Sequence, residues 1–310
     1  MMERRASIDI GTNTVRLLIA DADYLKTRRP IHVEKVITRL GGGFGRMGRL
    51  EEASIERTLK TLKNFAEVVK RHEVAKVRAV ATSVVREACN QEEFLERVAR
   101  EAEIQVEVID SIEEARLTLR GVLSVVGEGP LPLMVFDIGG GSTEYIFSAY
   151  GLPPKIMSLN LGVVHLTEKF LKSDPTPPEE LKALEEAIVP HLLECRLGLC
   201  PSPPDGLALV GCGGTVTTLA AMDQGLMVYD PAKVNNYTLT KEAVDRLYRQ
   251  LASLPIAQRK KIVSLEPGRE DIIISGCAIV SKTLDIFGAD ELKVSDAGLL
   301  EGTLLAQLDA

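Results

Sequence analysis

Two stretches of the chain, SIDIGTNTVRLLIAD around Asp9 and FDIGGGSTEYIFSAY around Asp137, spell one pattern 128 residues apart. In each, an apolar strand ends on Asp-Ile-Gly, small polar donors follow, and a second apolar run departs. That pattern predicts a β-hairpin whose turn presents no bulky side chain to an incoming ligand. A repeat at this spacing has the size of a domain and is far too long for a solenoid, so a duplicated domain is expected. Backbone amides of a glycine turn can converge on an anion, and the hydroxyls of Ser142 and Thr143 add donors. Asp137 and Glu144 stand at the two mouths of the second turn, where hard carboxylate oxygens suit a magnesium ion. Either turn alone reads equally well as a plain hairpin with solvated acids; the doubling favours a ligand.

A third stretch, Leu207 to Met222, carries an apolar strand into Gly211, Gly213 and Gly214, with a helix expected from Thr215. Glycine amides beside a positive helix end form an anion site. No Gly-Lys-Ser/Thr follows, so this is not a Walker loop, and no acid stands where a dinucleotide fold needs one. Between these stretches, helical spacing over Glu51–Arg71 leads to a strand at Val77–Ala81, ending near Thr82, Ser83 and Arg86. A glycine loop is read over Gly41–Gly48. Further helices are expected at Gln91–Ala102, Asp110–Val126, Pro178–Cys195, Glu270–Phe287 and Asp296–Leu308, and strands at Gln105–Ile109, Lys155–Leu161 and Leu292–Ser295. Such alternation implies α/β architecture with partly parallel sheets. Glu113 and Glu114 fall in the first turn expected of the Asp110 helix, where acids commonly complement the dipole.

The bulk numbers exclude several classes. With 310 residues there is room for two domains, each with its own core. No run of 18 apolar residues is present, and the start lacks a signal peptide's apolar core, so a cytoplasmic protein without membrane spans is expected. Five scattered cysteines form no CxxC pair, which favours reduced thiols. A net charge of −7 argues against a nucleic-acid polymer as partner.

Taken together, IDIGTNT (8–14), ATSVVREA (81–88), EEARL (113–117), DIGGGSTE (137–144), GCGGTVTTLAAM (211–222) and SDAGLLEG (295–302) resemble the exopolyphosphatase and guanosine pentaphosphate phosphohydrolase family. The matches span nearly the whole chain in family order. The resemblance implies an α/β fold of two ribonuclease-H-like domains, of the actin, sugar kinase and heat-shock chaperone ATPase superfamily, with an interdomain cleft. The domains are expected at 1–121 and 122–296, with the C-terminal helix 297–310 packing back on the first and a connector at Gly127–Pro132. The chain resembles the short members that lack an additional helical domain, and a homodimer stays among the expectations.

The resemblance also implies roles. Glu114 matches the family's general base, and Asp137 and Glu144 match positions tied to a divalent metal, Mg2+ or Mn2+, which Asp9 could join. Arg86 matches a phosphate-contacting arginine. Asn13, Thr14, Gly139, Gly140, Gly141, Ser142 and Thr143 would hold phosphate oxygens. Gly213, Gly214 and Thr215 would take distal phosphates or a nucleotide portion. The implied substrate is inorganic polyphosphate, guanosine pentaphosphate, or both. A small-molecule kinase of the same superfamily and a non-catalytic guanosine tetra- or pentaphosphate-binding protein are the alternatives.

Overall fold

The computed structural model describes residues 3–22, 28–44, 48–127 and 132–309. Parts of the loop read at 41–48 and of the connector read at 127–132 lie outside them, as do the chain's first two residues and its last. Two compact units emerge: residues 1–124 with 297–310, and residues 125–296.

The first unit opens on β1 (Glu3–Ile10), β2 (Thr14–Ala22) and β3 (Arg28–Ile37), an antiparallel meander. There follow α1 (Glu52–Arg71), β4 (Lys76–Ala81), α2 (Ser83–Glu87), α3 (Gln91–Ala102), β5 (Val106–Val108) and α4 (Ser111–Val126). The sheet order is β3-β2-β1-β4-β5, with β4 parallel to β1 and β5 parallel to β4. Strand periodicity sorts the side chains of β2: Val15, Leu17 and Ile19 join the core under α1 and α3, while Leu18, Ala20 and Ala22 face the other side.

The second unit repeats the plan. Its meander is β6 (Leu133–Ile138), β7 (Thr143–Ser148) and β8 (Lys155–Leu159), followed by α5 (Val163–Phe170), α6 (Pro178–Leu199), β9 (Ala208–Cys212) and α7 (Gly213–Asp223). Then come α8 (Pro231–Val234), β10 (Thr238–Thr240), α9 (Lys241–Ser253), α10 (Ile256–Arg259), α11 (Ile273–Phe287) and β11 (Glu291–Val294). The order β10-β11-β9-β6-β7-β8 places β9 and β11 where the first unit has β4 and β5, with β10 added at the edge. Phe136, Tyr145 and Phe287 stack through its core, ring centroids 5.8 and 6.0 Å apart. Each such aromatic contributes about 1.5–3 kcal/mol by burial. The helix expected from Glu270 begins only at Ile273, because Pro267 and Gly268, the latter at φ +89°, form a turn that precedes it.

The chain's last helix, α12 (Leu299–Ala306), belongs to the first unit. Leu300, Leu304 and Leu305 cover Leu18, Ala20 and Ala22, and Ser7 Oγ donates to the Leu300 carbonyl at 2.7 Å. Its approach to α4 requires glycine. A Cβ at Gly302 would stand 1.7 Å from the Leu117 carbonyl oxygen, and one at Gly121 would stand 1.9 Å from that of Gly298. Backbone contact of this kind fixes α4, which carries Glu114 on its first turn.

Candidate active site

Parallel strands of an open α/β sheet gather ligand-binding groups at their carboxyl ends. In the first unit β1, β4 and β5 end together: the Thr82 amide bonds the Ile10 carbonyl at 3.3 Å, and the Ile109 amide bonds that of Ala81 at 3.1 Å. The turn after β1 is closed by the Gly11 amide on the Thr14 carbonyl, and the segment 38–41 clamps it through bonds to the Asn13 and Thr12 carbonyls. Within this turn Asn13 Nδ2, Thr14 Oγ1 and Asp9 Oδ1 are buried with no hydrogen-bond partner among the described residues. Leaving such groups unpaired costs about 1–3 kcal/mol each, the mark of a surface completed by something else.

Asp9 is not a bare acid. Arg16 faces it across the hairpin and donates to its Oδ2 from Nη2 at 2.6 Å and Nε at 2.9 Å. Glu114 sits one turn into α4, only 8 % exposed, and accepts from Arg86 Nη1 at 3.2 Å. The same nitrogen donates to the Ile109 carbonyl at 2.8 Å, so Arg86 braces the carboxylate against the end of β5. Asp110 accepts from the Glu113 amide at 2.8 Å and caps the helix. Glu113 turns to the surface and pairs with Arg78 at 3.5 Å, which separates the fates of two adjacent glutamates.

In the second unit the equivalent turn is closed by the Gly139 amide on the Ser142 carbonyl at 2.9 Å. The amides of Val163 and Val164, opening α5, bond the carbonyls of Gly139 and Gly140 and hold the loop from behind. Glu144, buried, lies opposite Asp137 in the strand register and accepts at Oε1 from Ser142 Oγ and Ser158 Oγ, both at 2.8 Å. Asp137 in turn leans over the third loop: a Cβ at Gly213, where φ is +84°, would stand 2.6 Å from its Oδ1. Helix α7 starts at Gly213, two residues earlier than its sequence suggests, because the glycines themselves form its first turn. Thus Asp137, Gly139, Gly140, Gly141, Ser142, Glu144, Gly213 and Gly214 are gathered at one edge of this sheet. Thr143 and Thr215 are turned inward: the Thr143 hydroxyl donates to the Leu161 carbonyl at 2.7 Å, and the Thr215 side chain packs against Gly276.

One residue of this edge escaped the sequence reading. A Cβ at Gly214 would fall 2.0 Å from Arg269 Nη2, so a buried guanidinium covers the amino end of α7. A cation at a positive helix end is unfavourable unless an anion joins them. Glu266, 2.5 Å from Arg269 Nε, offsets part of that charge. Arg16 was likewise legible only once its register was known.

The profile of the Ppx/GppA phosphatase family matches residues 18–310. The chain belongs to that family. Exopolyphosphatase 2 of Mycobacterium tuberculosis is 33% identical over 98% of this chain and 98% of its own length. The Aquifex aeolicus Ppx/GppA family member, in its crystal structure, is 38% identical with a TM-score of 0.84 over 99% of this chain and 98% of that one. An exopolyphosphatase from Cytophaga hutchinsonii aligns at TM-score 0.91 and 30% identity over 99% and 98%. The two-unit α/β fold expected of the family is therefore the fold of this chain, and the member is a hydrolase. Among the described residues no helix is long and apolar enough to cross a membrane.

Proposed function

We propose that the chain releases terminal orthophosphate from inorganic polyphosphate, and from guanosine pentaphosphate, by attack of water on the end phosphorus. The observation that carries this is Glu114, a buried carboxylate braced by Arg86 in a member of a phosphatase family. Glu114 takes a proton from water as the water oxygen bonds to phosphorus and the bridging P–O bond breaks, leaving a chain shorter by one phosphate. Asn13, Thr14 and the amides of Gly140, Gly141, Gly213, Gly214 and Thr215 donate to phosphate oxygens, with Ser142, Arg86 and Arg269 beside them, while the Gly139 amide is taken by the Ser142 carbonyl and shapes the turn. The Thr143 hydroxyl serves the fold. A kinase or a pure binder is not favoured, since the similar proteins named above are phosphatases.

Magnesium or manganese suits the second hairpin. Asp137 and Glu144 face each other as a pair of hard oxygen donors. Two carboxylates plus substrate oxygens is a usual magnesium set. The bound ion would neutralise charge on the phosphate chain. Arg16 holds Asp9 Oδ2 while Asp9 Oδ1 has no partner among the described residues, so the proposal rests the metal on Asp137 and Glu144 and keeps Asp9 Oδ1 as a further candidate ligand.

Phosphate release from polyphosphate, guanosine pentaphosphate and ATP, measured side by side with magnesium, tests the reading. Glu114→Gln is expected to lower release by ~10²–10⁴-fold, the usual worth of a positioned general base, with substrate binding retained. Undiminished turnover in that variant would remove the mechanism.

A further inference from the structure

Strand register sets one row of side chains across the second sheet. Asp137 on β6 lies opposite Glu144 on β7, and Glu144 lies opposite Ser158 on β8. Directly opposed residues of antiparallel strands share a face, with Cβ atoms about 4.5–5.5 Å apart, so the three side chains stand side by side. The same row in the first sheet reads Asp9, Arg16 and Lys35. There the aspartate is followed by two cations; here it is followed by a second carboxylate and a hydroxyl. Ser158 belongs to none of the glycine loops that suit phosphate. It lies within β8, and its hydroxyl is directed at Glu144.

Glu144 is buried, and its two oxygens are treated differently. Ser158 Oγ and Ser142 Oγ both donate to Oε1, each at 2.8 Å, one from the neighbouring strand and one from the glycine turn. A carboxylate oxygen has about two lone-pair directions, so these two donors fill Oε1. Glu144 then gives a cation no more than Oε2 unless a serine lets go. Ser158 has a fixed place because β8 is paired along β7, so the restriction is built into a rigid element. Such a restriction discriminates between hard cations. Ca2+ gathers about six to eight oxygens in a flexible shell and readily uses both oxygens of one carboxylate. Mg2+ demands a near-octahedral set at shorter range, in which the acute bite of a carboxylate fits poorly.

We propose that Ser158 sets the ion selectivity of the second hairpin: with Ser142 it occupies Glu144 Oε1, confines Glu144 to ligation through one oxygen, and so favours Mg2+ or Mn2+ over Ca2+. The proposal rests on the placement of the metal on Asp137 and Glu144 given above. Ser158 acts through Glu144 and is a positioning residue. Mn2+ titrated into the full chain without substrate, followed by the electron paramagnetic resonance of the free ion, tests it, with Mg2+ and Ca2+ added in turn as competitors. The wild type should need at least about tenfold more Ca2+ than Mg2+ to displace half of the bound Mn2+. Ser158→Ala, which releases one lone pair of Oε1, should narrow that gap about tenfold. Ser158→Thr, which keeps the hydroxyl on a strand that suits β-branching, should hold the gap within about twofold. A wild type that prefers neither ion would overturn the proposal. So would an unchanged gap in Ser158→Ala, even with all three ions bound more weakly, since Ser158 would then be a structural support alone. Failure of the metal placement looks different: a chain carrying Asp137→Asn and Glu144→Gln together would bind Mn2+ as tightly as the wild type.

Discussion

In both units the last residue but one of a strand is an aspartate, and in both the residue seven places later faces it across the hairpin. In the first unit that residue is Arg16, paired with Asp9; in the second it is Glu144, opposite Asp137. The turns are otherwise superposable in their bonding, the Gly11 amide reaching the Thr14 carbonyl as the Gly139 amide reaches that of Ser142. One backbone device has thus been given opposite electrostatics. An acid neutralised by a guanidinium leaves a turn that tolerates anionic phosphate without help. Two facing acids, one of them buried, call for a cation before an anion can approach. The two copies share the cradle, and one side-chain exchange sets which of them the proposal gives the metal.

The largest effect should come from erasing that difference. Glu144→Arg gives the second hairpin the pairing of the first and removes one of two hard ligands. Losing the charge stabilisation a metal supplies should reduce phosphate release by at least ~10³-fold. Added magnesium should not restore it, whereas Glu144→Gln, which keeps the shape, should recover partly at high magnesium. If Glu144→Arg retains magnesium-dependent turnover, the acid pair is not the metal site.

Breaking the pair in the first hairpin should act on stability more than on chemistry. Arg16→Met strands a buried aspartate, and losing its charged hydrogen bonds should cost about 2 kcal/mol. Asp9→Asn in the same background should return much of that, so a double-mutant cycle should show coupling of ~1–3 kcal/mol by denaturant unfolding. Additive losses would mean that the pair is incidental.

Gly213→Ala sharpens the comparison from the other side, because strand register sets Ala81 of the first unit where the second has this glycine. At φ +84° an alanine is strained by ~1 kcal/mol, and its Cβ would push on Asp137. Magnesium affinity should fall several-fold while the unit still folds; a variant with unchanged magnesium dependence would show that Asp137 does not need the support of the third loop.

Much of this plan was legible because it is local. Hairpin turns, strand alternation and the glycine loops are written in contiguous residues, and the repeat of Asp-Ile-Gly exposed the duplication directly. What escaped was what only a register or a long-range approach creates. Arg16 is an unremarkable surface-type residue until strand pairing sets it against Asp9. Arg269 lies far along the chain from Gly214, in a Pro-Gly turn that breaks the expected helix and carries no motif of its own. The inward turn of Thr143 follows from strand parity, and the glycine run beside it suggested a donor where the pleat allows none.

Thr143 gives the smallest test and the cleanest one. Its counterpart in the first hairpin is Val15, buried and without a hydroxyl, so the first unit shows that the fold accepts an aliphatic side chain there. The Thr143 hydroxyl is wholly enclosed and donates to Leu161, which leads into the helix that backs the glycine loop. Thr143→Val is nearly isosteric and removes one buried bond, leaving a carbonyl unpaired. It should cost ~1 kcal/mol of stability, read as a lower denaturation midpoint. Phosphate release at saturating substrate should stay within about twofold of the wild type, since no donor to phosphate is lost. A large fall in kcat with stability intact would place that hydroxyl on the substrate and would mean that the two hairpins differ by a second exchange as well as the first.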